Sequence, residues 1–330
     1  MESPELQQIF FNTLKNSLPP HISMVDEIAD ILDIGHDSVY RRVRGEKPIS
    51  ISELKLLCDH FHISLDQVLQ LKNDSVVFEA PGINNNEIGI EEYFSGILSQ
   101  LKYFNSFREK EMFYLCKDLP IWHFYLFPEI AAFKTFCWVK TIQNHPDYEH
   151  KLFSLAENHF ESCFSISQQI IMEYNILPSV ELWNFGSLNS SISQIEYYRD
   201  AGLFANPGDL AIILQSMEKM LDHLQEQAMK GIKYMPGAAE VSYKSPFKFY
   251  INEVILGNNS IILNLDGKFI SFINYNVLSY LMTKDPRFTK RSFQSFNNLL
   301  SRATLISSTG EKYRNKFFGH LKDRVKQLKK

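Results

Sequence analysis

The sequence predicts a mainly α fold in three parts: a five-helix N-terminal domain, a helical middle region, and a C-terminal α+β unit with a short antiparallel meander. Three observations point there. Apolar residues recur at three- and four-residue spacing, punctuated by capping residues, through residues 1–72. The same period continues in longer runs at 91–118, 127–143, 147–175 and 206–231. From Phe247 the period changes. Phe249, Ile251, Val254 and Leu256 precede Gly257-Asn258-Asn259, then Ile261, Leu263 and Leu265 precede Asp266-Gly267, and Phe269, Phe272 and Ile273 follow. Apolar runs cut by such turns read as three antiparallel strands.

The elements follow in order. Ser3-Pro4 opens the first helix, whose stripe is Leu6, Ile9, Phe10 and Leu14, and Pro19-Pro20 stops it. Ser23 caps the second, with Asp26 and Glu27 in the first turn, where the helix dipole favours acids. Its stripe is Val25, Ile28, Ile31 and Leu32. The turn Asp33-Ile34-Gly35 leads into a third helix from His36 to Arg44, closed by Gly45 in a left-handed conformation. Ser50 and Glu53 form a capping box for a fourth helix with Leu54, Leu57, Cys58 and Phe61 inside. A fifth starts at Ser64, with Leu65, Val68 and Leu69 inward. Residues 73–86, rich in Asn with Pro and Gly, read as a linker. The middle domain then spans 87–245 and the α+β unit 246–330, the meander being followed by helices near 275–283, 289–300 and 311–328.

Composition bounds the function. At 330 residues, with 45% apolar and 22% charged side chains, the chain has the balance of a soluble globular protein of about two domains. Four Cys without a CxxC spacing indicate neither a disulfide framework nor a zinc module. The N-terminus lacks the pattern of a signal peptide. Ile121–Val139 is apolar, yet holds His123, Pro128, Glu129 and Lys134, so it reads as a buried helix pair broken at Pro128 rather than a membrane span. A cytoplasmic protein is expected. The net charge of −4 hides a polarised chain: residues 1–72 carry 7 basic and 11 acidic side chains, and residues 284–330 carry 13 and 3. The acid excess falls in the middle, where it opposes unspecific coating of DNA. Four of the seven basic residues of the first segment cluster within Arg41–Lys47.

Two helices joined by a short Gly-containing turn make a helix-turn-helix unit. With Ala29 in the second helix, the Asp33-Ile34-Gly35 turn, Val39 in the third, Gly45 after it and the stripe running into Ile63-Ser64-Leu65-Asp66, residues 1–72 resemble the phage-repressor (Xre/Cro-CI) helix-turn-helix family. The resemblance implies a lambda-repressor-like domain that binds double-stranded DNA as a homodimer, the third helix entering the major groove. His36, Asp37 and Ser38 in its first turn are the candidate base readers, with Tyr40 on the same outer face and Arg41 one turn on. Arg42, Arg44 and Lys47 are the candidate phosphate contacts. Asp37 either accepts from a cytosine amino group or caps the helix. Val25 stands where the family often has a Gln touching phosphate, which leaves that anchor unfilled.

No catalytic constellation emerges, so the chain is expected to be no enzyme and to need no metal or cofactor. His145 and His150 sit in a turn-like stretch, His159 and Cys163 find no second ligand pair, and His60-Phe61-His62 reads as helix-terminal packing. Ser308 to Lys312 lacks the order of a phosphate loop and opens the last helix instead. That helix interleaves Lys312, Arg314, Lys316, Lys322, Arg324, Lys326, Lys329 and Lys330 with Phe317, Phe318, Leu321, Val325 and Leu328. It reads as an amphipathic helix docked with its charge toward solvent or the acidic middle, the alternatives being a supplementary DNA-backbone contact and an anionic-ligand or partner site. The chain thus reads as a sequence-specific transcriptional regulator whose C-terminal region dimerises or senses a small-molecule or peptide effector. The alternatives are an enzyme targeted by its helix-turn-helix and a protein-interaction scaffold without DNA binding.

Overall fold

In the computed structural model of the chain, residues 3–18, 22–61, 63, 65–69, 75–80, 89–157, 160–238, 245–254, 257–276 and 279–329 are described. They form two compact units, Met1–Val77 and Phe78–Lys330. Pro19-Pro20, His62, Ser64, His159 and most of the expected linker lie outside the described residues.

Among its described residues the first unit holds five helices: α1 (Ser3–Ser17), α2 (Met24–Leu32), α3 (His36–Val43), α4 (Ile51–Phe61) and α5 (Leu65–Leu69). Local chemistry fixes their ends as the sequence predicts. Ser23 Oγ accepts from Asp26 N at the start of α2, and Asp33 turns out of it with a left-handed φ of 51°. Gly45, at φ 80°, lets the chain leave α3 without a Cβ clash. Ser50 and Glu53 satisfy each other's backbone N–H groups at 2.8 and 3.2 Å, a complete capping box. The core is Phe10, Phe11, Leu14, Ile28, Ala29, Val39, Leu57 and Val68. On α1 Phe11 joins Phe10 and Leu14 inside, while Ile9, expected inside, stays exposed.

The second unit corrects the expected layout. A seven-stranded mixed sheet runs through it in the order β6-β5-β4-β1-β2-β3-β7. The strands are β1 (Lys110–Cys116), β2 (Ser179–Trp183), β3 (Phe247–Ile251), β4 (Ser260–Leu265), β5 (Lys268–Asn274), β6 (Tyr280–Thr283) and β7 (Thr304–Leu305). Two of the three central strands, β1 and β2, come from the region expected to be wholly helical, so the sheet joins residues on both sides of position 245. The helices are α6 (Ile90–Asn105), α7 (Ile121–Phe124), α8 (Pro128–Cys137), α9 (Glu161–Ile176), α10 (Asn189–Asp200), α11 (Pro207–Lys230), α12 (Pro286–Leu300) and α13 (Glu311–Gln327).

The helix expected across 91–118 therefore ends at Asn105, and that expected from 147 begins only at Glu161, after a single 3-10 turn at Pro146–Tyr148. The strand β3 does not pair with β4. It lies parallel to β2, with Phe247 opposite Ser179. The true meander is β4-β5-β6, in which Tyr280 to Thr283, expected as helix, pairs with β5. Asn276 Oδ1 accepts from Ser279 N at 2.6 Å, just ahead of β6.

The strands β1, β2 and β3 run parallel, and β4 is antiparallel to β1. Parallel neighbours need crossovers, which α7 to α9 and then α10 to α11 supply. Phe113, Val180, Leu182, Ile262 and Phe296 form a small core that includes α12. Met112, Tyr114, Cys116 and Trp183 belong to a much larger core shared with the remaining helices. Alternate residues of β1 and β2 thus serve opposite faces, and β2 is buried at every position.

The last helix docks as expected. Arg314, Phe317, Phe318, Leu321 and Val325 are buried on α13, while Lys322 pairs with Asp222 at 2.6 Å and Lys329 with Glu218 at 2.9 Å, both on α11. The split helix of 121–137 is also found, with Trp122, Phe124, Ile130, Phe133 and Phe136 buried. Among the described residues no helix is long and apolar enough to cross a membrane.

Candidate nucleic-acid interface

The outer face of α3 is built from its inner face. Val39 is fully buried against a core that includes Ala29 of α2 and Leu57 of α4, and the small Ala29 side chain keeps the packing close. Arg42 completes the anchoring. Expected at a phosphate, it is 4% exposed, and its guanidinium reaches Glu53 Oε1 at 2.5 Å and the carbonyl of Ser38 at 3.1 Å. Burial pushes the Glu53 carboxyl up, but Arg42 and the Ser50 N–H outweigh that and hold it below the usual carboxylate range. An ionised, hydrogen-bonded pair of this kind is strongly coupled, because removing either partner strands a charge. Arg42 is thus a bolt between α3 and α4.

The segment after α3 is held by α1. Gln7 Nε2 donates to the carbonyls of Arg42 and Lys47 at 2.6 and 2.8 Å, and its Oε1 accepts from Ile49 N at 2.9 Å. Gln8 Nε2 donates to the Arg44 carbonyl at 3.1 Å. Three carbonyls, those of Arg42, Arg44 and Lys47, and the Ile49 N–H are therefore held by two side chains 35 to 42 residues away. Composition flags neither Gln, and their partners are backbone groups, so no local pattern could have revealed them.

At about 100° per residue, His36, Asp37, Tyr40, Arg41 and Arg44 fall within one arc of about 140°. All five are exposed. Ser38 sits at the edge of the arc, half-buried, and Lys47 is exposed in the segment that follows. The side chains are not all idle. His36 Nε2 lies 3.3 Å from Asp26, and Arg44 binds Glu46 at 2.6 Å, with Arg41 4.0 Å from the same carboxylate. The Arg44 hydrogen bond holds the Glu46 carboxyl below its ordinary range. Glu46 was missed in the sequence, although its place two residues after Arg44 was the available signal.

The remaining motifs serve the scaffold. His145 Nδ1 accepts from Asp147 N within its turn, Cys163 is buried, and His60 packs edge-on against Phe61. The loop at Ser308 is filled from within, since Arg314 Nη1 donates to the carbonyls of Ile306 and Thr309 at 2.8 and 3.0 Å. Among the described residues, no group of three or more His, Cys, Asp or Glu is placed to hold a metal ion.

Residues 16–90 match the family model of the BetR domain, a small N-terminal domain of regulator-like proteins. The match covers the helices α2 to α5 and the segment after them, under a quarter of the chain. Neither the curated proteins nor the solved structures yield a match.

Proposed function

We propose that the protein is a sequence-specific DNA-binding transcriptional regulator. The observation that carries this reading is the exposed arc of His36, Asp37, Tyr40, Arg41 and Arg44 on a short helix whose opposite face is bolted by Val39 and Arg42. A helix held in fixed register with a polar, cationic outer face is what the major groove accepts. Arg41 then reads a base edge, His36, Asp37 and Ser38 contribute at the first turn, and Arg44 and Lys47 set register on phosphates. Two copies, bound to half-sites about one DNA turn apart, form the working unit, and the second unit carries dimerisation or effector sensing.

One observation favours a second reading, a protein-interaction module without DNA binding: Glu46 already pairs with Arg44 and lies 4.0 Å from Arg41. Binding to a pool of genomic fragments, measured against salt, decides between them. The expected result is salt-sensitive binding at or below micromolar protein, weakened by about 10- to 100-fold in the Arg41→Ala/Arg44→Ala double variant. No salt-sensitive binding at micromolar protein overturns the proposal in favour of the interaction module.

A further inference from the structure

Lys134 is an anomaly that the DNA reading leaves unused. It is 4% exposed on α8, and its ammonium donates to Gln194 Oε1 at 2.5 Å and Ser191 Oγ at 3.3 Å, both on α10. It also lies 4.3 Å above the Phe124 ring. Among the described residues it forms no ion pair with a carboxylate. Burial therefore pulls it down to about 8, an effect only partly offset by Cys137 and Asp118. A buried ammonium with neutral partners is costly and calls for a counter-charge.

The surroundings show where that charge would enter. Lys134 lines a cleft of ≈ 330 Å³ at the carboxyl end of β1, which also takes in Lys117, Asp118 and the first turn of α10. Asp118 is engaged by Ser190 Oγ at 2.5 Å and, through its backbone N–H, by Asn259 Oδ1 at 3.0 Å. The two lysines outnumber it, so the cleft is cationic. The cleft also lies outside the carboxyl end of a parallel strand, the side of open α/β sheets on which ligands bind.

The cleft adjoins an apolar pocket of ≈ 90 Å³, and the two share Tyr93, Tyr114, Ile121 and Asn274 in their walls. Phe104, Trp122, Phe272 and Tyr280 close the apolar end. Trp122, itself 5% exposed, has a buried Nε1–H with no hydrogen-bond partner among the described residues. A cationic mouth, an aromatic-walled end and an orphaned donor in the same wall describe the complement of one chemical class.

We infer that the second unit binds a small monocarboxylate with an aromatic tail, its carboxylate beside Lys134 and its ring among Phe104, Trp122 and Phe272. The inference goes beyond the proposed function and does not depend on DNA. Calorimetric titration of the full chain, without DNA, with phenylpropionate and its neutral analogue phenylpropionamide tests it. The acid binds at least tenfold more tightly than the amide, and hydroxyphenylpropionate, which offers an acceptor to Trp122, binds at least as well as the unsubstituted acid. Lys134→Met keeps the fold, because it removes an uncompensated charge, and it abolishes the preference for acid over amide. Equal binding of acid and amide to the unaltered chain, no binding of either at millimolar ligand, or an intact preference in Lys134→Met overturns the inference. The comparison on the unaltered chain stands even if the variant fails to fold. Failure here leaves the role of α3 untouched, and failure of DNA binding leaves this test unaffected.

Discussion

Glu46 faces both Arg41 and Arg44 on the exposed side of the first unit, and a phosphate arriving there must displace it. Exposed pairs of this type are weak and screened by salt, so under the proposed function Glu46 would temper DNA binding rather than block it. Glu46→Gln should tighten DNA binding a few-fold and steepen its salt dependence, read by fluorescence anisotropy across a salt series. An unchanged affinity would remove Arg41 and Arg44 from the contact. In the second unit the instructive residue is Lys233, fully buried, donating to the Leu177 carbonyl and to Ser179 Oγ and lying 3.7 Å over the Tyr174 ring. Burial pulls it from 10.5 to about 7, against a smaller upward pull from Glu181. Between those values the unfolded chain holds a proton that the folded chain has released. The cost of burying Lys233 is therefore full below about pH 7 and relaxes as pH rises toward 10.5. The unfolding free energy of the native chain minus that of Lys233→Met should climb from pH 7 to pH 9 in urea titrations; a flat difference would show that the amine stays charged.

At the scale of elements, α3 illustrates how a short helix becomes a rigid probe. Eight residues alone make no stable helix in water, so its register comes from Val39, from the Arg42–Glu53 bolt and from the α1 glutamines. Gln7→Ala removes the side-chain partner of the Ile49 N–H and of the Lys47 carbonyl after α3, and one of two partners of the Arg42 carbonyl in its last turn. It should cost about 1 kcal/mol, abolish slow hydrogen exchange at the Ile49 amide, and weaken DNA binding while α2 and α3 stay helical. Retained exchange protection at Ile49 would mean that the clamp is dispensable. The strands teach a different lesson. Lys110–Cys116 follows α6 without a Gly or Pro to mark the break, and both of its faces pack against cores, so its apolar residues do not alternate with polar ones. A strand buried on both sides loses the period of two that would distinguish it from a helix. That is why the segment reads as a continuation of α6, and why Ser179–Trp183 is silent in the sequence.

For the whole molecule, the two units carry separate cores, one centred on Leu14, Ile28, Val39 and Leu57 and the other on the sheet. Separate cores predict separate melting. Leu57→Ala, at a fully buried site, should cost about 2 to 5 kcal/mol and shift the transition reported by the first unit's amides alone. A single transition that moves as one would show that the units unfold together. Within the first unit nearly everything was legible from residues and spacing: the Ser23 cap, the Asp33 turn, Gly45, the Ser50–Glu53 box and the outward set His36, Asp37, Tyr40, Arg41 and Arg44. Those features arise from groups within four residues of one another, where local sterics and hydrogen bonding suffice. The burial of Arg42, the reach of Gln7 across 35 to 42 residues, the strand order and the cleft that gathers Lys134, Lys117 and the first turn of α10 are different in kind. They depend on which segments meet in space, which long-range burial settles and local pattern does not encode. The sequence by itself determined the capped helices of the first unit and the face that α3 presents; the tertiary structure alone decided that Arg42 is buried while Arg41 and Arg44 are exposed, and placed Lys134 in the wall of a cleft.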